Sequence, residues 1–337
     1  MMISRISDGS YQAARNRAAL VDRSGRGRIV VKGGDRASYL QGLLTNDVAA
    51  LESGQGCYAA YLTPQGRMIA DMWVYELGDL ILLGLAGDMK DAVLARFDQL
   101  IFTEDVQLGD VTDTFAQVAV VGPEAARVIA GVLDVRESDV AALPEHGNLR
   151  APMAGHAIVS RITDTGEPGF DVYIEPAQAS RLTKALEGLG VVELDADAAE
   201  AIRIEAGVPL FHRDMDEETI PLEAGLESRA ISFTKGCYVG QEVIVRVLHR
   251  GHGRVARRLV GLIMTNDVVP PRGAAIRVQD REIGGVTSSV LSPALGHPIA
   301  LGYVHRDFIE PGTVVAVDGA RATVAALPFV PRPISPA

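Results

Sequence analysis

Three side chains in this sequence combine reactive chemistry with a setting that could put it to use: Cys237, Asp71 and Glu205. Cys237 stands in "FTKGCYVGQE" (233–242), between Gly236 and Gly240 and two residues after Lys235. Glycines let a backbone turn sharply and approach another surface closely. A nearby lysine, and the dipole of any helix starting near Gln241, would favour the thiolate, which is the nucleophilic form. The competing reading is a small buried hydrophobe, the commonest fate of a free cysteine.

Asp71 lies in "GRMIADMWVY" (66–75). Read as a strand, this segment puts Asp71 on one face with Ile69, Trp73 and Tyr75. A carboxylate on an apolar stripe is costly unless it has a partner or a task, and burial raises its pKa as a general acid or base requires. An edge-strand acid pointing at water is the alternative. Glu205, in "AAEAIRIEAGVPL" (198–210), shares a helical face with Ala201 and Ile202, and Gly207 can end that helix. An inward carboxylate there can accept two parallel N–H bonds from a planar amino-pyrimidine ring such as a pterin. A buried pair with Arg203 or Arg229 explains the same pattern.

The rest of the composition narrows the chemistry. His249 and His252 are three apart, but no cysteine or acid set completes a zinc site, so no metal is expected. The two cysteines, Cys57 and Cys237, cannot hold an iron–sulfur cluster through four thiolates, and Cys57, in an alternating strand, reads as core. A net charge of −11 opposes general nucleic-acid binding, DNA included. One stretch runs the other way. "RVLHRGHGRVARR" (246–258) carries Arg246, Arg250, Arg254, Arg257 and Arg258 with no acid, which fits a small anionic ligand, a local RNA contact or a solvated basic strand pair. No segment nears the roughly 18 apolar residues of a membrane span. The N-terminus lacks the apolar core of a secretory signal and the cysteines are few, so the expected location is the cytoplasm.

These residues need elements to position them. "DRASYLQGLL" (35–44) has helical spacing with Asp35 as a cap. "CYAAYL", "RMIADMWVYEL" and "LILLGLA" form a meander whose first turn, "TPQG", suits type I. Helices are expected over 88–101, over 123–133 with Pro123 at the first position, and over 176–189. Strands are expected at "FAQVAVVG", "HAIVSRI" and "FDVYIE". Strand and helix mix without strict alternation, which favours α+β with antiparallel sheets. From about residue 256 to 330, short β-branched runs punctuated by Gly and Pro predict an all-β barrel, followed by a tail at 331–337.

Taken together, these pieces resemble a known family. "GRGRIVVKGGDRASYLQGLLTNDV", "GCYAAYLTPQGRMIADMWVY", "RIEAGVPLFHRDMDEETIPLEAGL" and "IGGVTSSVLSPALGHPIALGYV" are similar to successive parts of the glycine cleavage T-protein superfamily. Within it, "KGCYVGQE" resembles the motif of YgfZ-type folate-binding proteins, whose relatives assist iron–sulfur protein maturation. The resemblance implies two ferredoxin-like α+β units, intertwined over 1–255, and a barrel over 256–330, set in a three-domain ring around tetrahydrofolate. It implies Glu205 as the pterin-gripping glutamate and Asp71 as an acid facing the reacting folate nitrogens. Cys237 would supply redox or nucleophilic chemistry, with Lys235, Tyr238 and Arg246 on the folate-binding side. Two departures stand out. The family's double Asp is here Ala70-Asp71, and Asp164 replaces an aromatic residue in "DTGEPG" (164–169). The leading expectation is a tetrahydrofolate-binding accessory to iron–sulfur protein assembly, with assembly factors or client enzymes as partners. The alternative is a tetrahydrofolate-dependent aminomethyl- or methyltransferase.

Overall fold

The computed structural model describes residues 8–151, 157–249 and 254–331. In chain order the elements begin α1 (Asp8–Asn16), β1 (Ala19–Asp22), β2 (Gly27–Lys32), α2 (Arg36–Leu43), β3 (Gly56–Leu62), β4 (Met68–Glu76), β5 (Ile81–Leu85), α3 (Lys90–Asp98) and β6 (Gln107–Asp110). They continue with β7 (Ala116–Val121), α4 (Ala125–Leu133), α5 (Glu137–Ala141), β8 (Asn148–Ala151), β9 (Ala157–Ile162), β10 (Gly169–Ile174), α6 (Pro176–Gly188), β11 (Val192–Glu193) and α7 (Ala196–Glu205). After α8 (Glu227–Ala230) and α9 (Gln241–His249) come six barrel strands: β12 (Arg257–Met264), β13 (Ala275–Val278), β14 (Arg281–Leu291), β15 (Pro298–His305), β16 (Val314–Val317) and β17 (Ala320–Ala325).

Three sheets result, in the α+β class expected. A five-stranded sheet runs β3-β4-β5-β2-β6, a six-stranded sheet runs β11-β1-β7-β10-β9-β8, and the barrel closes as β12-β15-β14-β13-β16-β17. The meander forms as read. Gly66 N–H donates to Thr63 O at 2.8 Å across the "TPQG" turn. Past the turn the pairing slips, from Tyr61↔Ala70 to Leu62↔Met68, so Ile69 is a bulge residue. The slip corrects one expectation. Ile69 packs with Ala70 and Met72 against α2 and α3, whereas Trp73 and Tyr75 face an inner core shared with Ile158 and Tyr173 of the second sheet. Asp71 keeps the Trp73 side by alternation, and it lies in the interior, 8% exposed, not at a wet edge.

Two helix starts differ from expectation. Asp35 makes no cap bond at α2 and instead accepts from Asp105 N–H, tying two loops together. Pro123 lies outside α4, whose first residue is Ala125. Between Arg257 and Ala325 the chain is strand and turn, with one three-residue 3-10 turn at Arg306–Phe308. Val260, Leu262, Ile276, Val286, Ala300, Val304 and Val324 fill the barrel.

Candidate functional site

Asp71 is the centre of a buried polar cluster built from both N-terminal sheets. Tyr58 of β3 donates its hydroxyl to Asp71 Oδ2 at 2.5 Å. Two residues along β4, the Trp73 ring carries the Arg26 guanidinium at 4.1 Å from its centroid, and the indole Nε1 has no partner. Arg26 also pairs with Asp164 Oδ2 at 3.4 Å. Arg23 bridges Asp164 and Asp171 at 3.2 and 3.4 Å, and Asp171 accepts from Gln117 Nε2 at 2.9 Å. On the other side of Tyr58, the Arg229 guanidinium lies 5.6 Å from the ring centroid.

Burial and charge divide the three carboxyls. Burial pushes the Asp71 carboxyl above its ordinary range, against the Tyr58 hydrogen bond and the charge of Arg26. Asp171 is raised by burial as well. For Asp164, burial is outweighed by Arg23 and Arg26, which hold it below the usual carboxylate range. The cluster therefore pairs a carboxyl whose neighbours favour its ionised form, Asp164, with one whose burial favours its protonated form, Asp71. Asp164 thus founds an ion network with Arg23 and Arg26 of the "RSGRGR" stretch.

Glu205 is in a different situation from the one expected. It is fully buried. Its Oε2 accepts from Tyr11 Oη at 2.7 Å and from Arg15, and its Oε1 accepts from Ser292 Oγ and from Ala294 N–H at 3.1 Å. Arg15 also binds Glu167 of "DTGEPG". With four donors on two oxygens, the carboxylate has no lone pair left for a pterin N–H pair. Its role in this structure is to tie α1, the end of α7 and the β14–β15 loop. Arg203, one of the partners the sequence offered, instead binds Asp214 at 2.7 Å and Glu200 at 2.6 Å. Gly207 does end the helix, at φ +67°.

The "KGCYVGQE" loop also differs from expectation. Cys237 is exposed, so it is not a core residue. Lys235 does not attend it. The ammonium points inward and donates to the carbonyls of Gln41, Leu44 and Asn46 at 2.6, 2.6 and 2.9 Å, capping the end of α2. Burial lowers its pKa to about 8. Tyr238 is core, its hydroxyl raised to about 12 by burial. Neither side chain is presented to a ligand. Gly240, at φ +85°, is required by the protein itself: a Cβ there would stand 2.6 Å from Thr63 O of the β3–β4 turn. The surface that the loop approaches so closely is its own hairpin.

Three arginines of the basic stretch are paired with acids. Arg246 sits on a helix, not a strand, exposed and paired with Glu242 at 3.2 Å. Arg257 and Arg258 pair with Glu223 and Glu227. Arg250 and His252 lie outside the described residues. Cys57 is buried as expected, its thiol raised to about 12 by burial.

Two cavities border the Asp71 cluster. One of about 480 Å³ has Arg23, Arg26, Asp164 and Glu167 in its wall, together with residues of α7. The other, about 760 Å³, is walled by Arg229, Thr163, Gly207 and barrel residues including Val260 and Leu327. Both fall in the range of small-molecule sites. Among the described residues, no group of His, Cys, Asp and Glu could hold a metal ion, and no helix is long and apolar enough to cross a membrane. Sequence reading missed Tyr58, Arg23, Arg26 and Asp171, and offered Arg229 only as a partner of Glu205, to which it is not paired. The one signal for them was Asp164 itself, since a half-buried acid needs cations.

Comparison with known proteins finds matches over most of the chain. Residues 3–235 match the GCVT N-terminal domain, and residues 257–333 match the glycine cleavage T-protein C-terminal barrel domain. An aminomethyltransferase of Rubrobacter xylanophilus is 35% identical over 297 residues, spanning 87% of this chain and 78% of that protein. One from Nostoc sp. is 32% identical over 319 residues, spanning 91% and 82%. The crystal structure of glycine cleavage system aminomethyltransferase T from Bartonella henselae superposes with a TM-score of 0.87 at 25% identity, covering 96% of this chain and 89% of that one.

Proposed function

The chain belongs to the glycine cleavage T-protein family, and on that premise we propose that it transfers a one-carbon unit between an aminomethyl donor and tetrahydrofolate. The observation that carries this reading is the buried Tyr58–Asp71 pair, whose neighbours Arg26 and Arg229 each line a cavity. The relatives named above as aminomethyltransferases support the same class of reaction. When bound, the reduced folate supplies the nitrogen nucleophile to which the carbon is joined. The protein's part is proton handling and placement. Asp71, raised by burial, takes a proton from the donor's ammonium and returns it to the amine, which leaves as ammonium. The carbon's bonds to the carrier sulfur and to that amine are exchanged for bonds to two folate nitrogens, whose protons pass to the departing thiol and amine. Tyr58 fixes the carboxyl's orientation from the neighbouring strand. Arg26, stacked on Trp73, keeps enough positive field nearby for the anion to form. Glu205 is engaged by Tyr11, Arg15, Ser292 and Ala294, so a pterin ring gripped by it would have to displace one of these donors.

The test is a turnover assay with tetrahydrofolate and an aminomethyl-loaded lipoyl carrier, alongside a folate-binding titration. Methylenetetrahydrofolate formation supports transfer. Folate binding without product from aminomethyl or methylamine donors defeats it. A second reading is carried by the exposed thiol of Cys237 within "KGCYVGQE". On that reading the protein is a YgfZ-type folate-binding accessory to iron–sulfur protein assembly, with client enzymes as partners. A Cys237→Ser variant should then keep folate binding and lose support of iron–sulfur enzyme maturation. Full support by the variant removes this reading.

A further inference from the structure

We propose that Arg229 is the carboxylate-recognition residue of the larger cavity, so the ligand presented beside Tyr58 and Asp71 carries a carboxylic acid. The inference rests on the folate reading above and adds the chemistry of one end of the ligand.

The argument begins from which arginines are already committed. Around the cluster, Arg23 and Arg26 are engaged by Asp164, and Arg23 also by Asp171. In the wall of the larger cavity, Arg258 is engaged by Glu227 at 2.5 Å. Arg229, in the same wall, is different. Its guanidinium has no ion pair or hydrogen bond among the described residues; it lies over the face of Tyr58, and the charge of Asp164 reaches it only at longer range. It is half-buried, so water replaces the missing anion only in part. A partly desolvated guanidinium with no anion in contact is an unfavourable arrangement that an incoming carboxylate relieves, and its planar fork matches the two carboxylate oxygens.

The cavity's own acids do not fill that place. Glu145 accepts from Thr163 Oγ1 at 2.5 Å, and Glu310 is exposed. The location also matters for chemistry, because the ring under Arg229 is the one that holds Asp71 at 2.5 Å. A carboxylate clamped at Arg229 would therefore fix one end of a ligand next to the tyrosine that binds Asp71.

A carboxylate can come from the glutamate tail of the folate or from a free amino acid, and binding titrations separate the two. The probes are tetrahydrofolate, tetrahydropteroate (the same ring system without the glutamate) and glycine. Each is titrated into the full-length wild type, Arg229→Met and Arg229→Lys. If the tail is the source, tetrahydrofolate should bind Arg229→Met about 10- to 100-fold more weakly, the worth of one charge-assisted contact. Tetrahydropteroate should be unaffected, and Arg229→Lys should fall between, retaining charge without the fork. If the amino acid is the source, the same loss appears for glycine and not for the folate. Equal affinities of all three proteins for every probe would overturn the proposal, as would a loss that falls equally on tetrahydropteroate. Wild type that binds neither pteridine would defeat the folate reading instead, and the glycine series then decides Arg229 alone. Arg229→Lys keeps the test valid should Arg229→Met fold poorly.

Discussion

Asp71 is ionised only against the cost of its burial, and that cost fixes a sign for its effect on stability. Its folded pKa lies above the ordinary carboxylate value. Between those two pKa values the folded state binds more protons than the unfolded chain, so this group lowers stability as pH rises through the window. Above the window the cost is fully present; below both pKa values it vanishes. Asp71→Asn removes the charge and keeps an acceptor for the Tyr58 hydroxyl. The variant should therefore melt higher than wild type at pH 7, on the order of 2 °C for each kcal/mol relieved, with the difference closing towards pH 4. Thermal melts across pH check this, and a variant that melts lower at pH 7 would contradict it. The wild-type residue persists at a cost to the fold, as expected of a functional acid.

At the scale of elements, the β3–β4 hairpin and the start of α9 are locked by two close-packed glycines. A Cβ on Gly66 would meet Val243 at 2.8 Å, and one on Gly240 would meet Thr63 O at 2.6 Å. Gly240→Ala adds a left-handed backbone penalty to that clash, so denaturant unfolding should show a loss of about 2–4 kcal/mol. A loss under about 0.5 kcal/mol would show that the loop is not seated on the turn. The hairpin was legible in sequence because its signals are local: alternating apolar residues and a Pro-Gly turn. The barrel was legible for the same reason. Contacts far apart in the chain were not. Tyr11 and Arg15 meet Glu205 across 194 and 190 positions, from a short helix that is polar on the whole. Lys235 was read with its sequence neighbour Cys237, yet its partners are carbonyls about 190 residues earlier. Asp71 was found because its oddity, an acid on an apolar strand, is visible in one stretch. The Ile69 bulge was not, since it depends on how the turn sets the register.

Across the whole molecule, Glu205 is a tie between the N-terminal region and the barrel. Its side chain holds Tyr11, Arg15 and Ser292, and its carbonyl accepts from Phe329 N–H at 2.9 Å and Val330 N–H at 3.2 Å. Arg203 adds a bond to Ser288 of β14 at 2.9 Å. Such buried ties predict a single calorimetric unfolding transition for the wild type. Glu205→Gln should lose about 3 kcal/mol, the lower end for breaking a buried pair because Arg15 keeps Glu167, and its barrel should begin to melt separately. Tetrahydrofolate affinity of this variant should stay within about threefold of wild type, a change below 1 kcal/mol. A large affinity loss without destabilisation would return Glu205 to the ligand. The central claim concerns Asp71, and single-turnover transfer to tetrahydrofolate tests it most directly, measured for wild type and Asp71→Asn on samples whose folate affinity is also determined. The prediction is a rate at least ~100-fold lower in the variant, as for loss of a general acid–base group, with affinity nearly unchanged. A variant that transfers at the wild-type rate would show that the chemistry lies elsewhere.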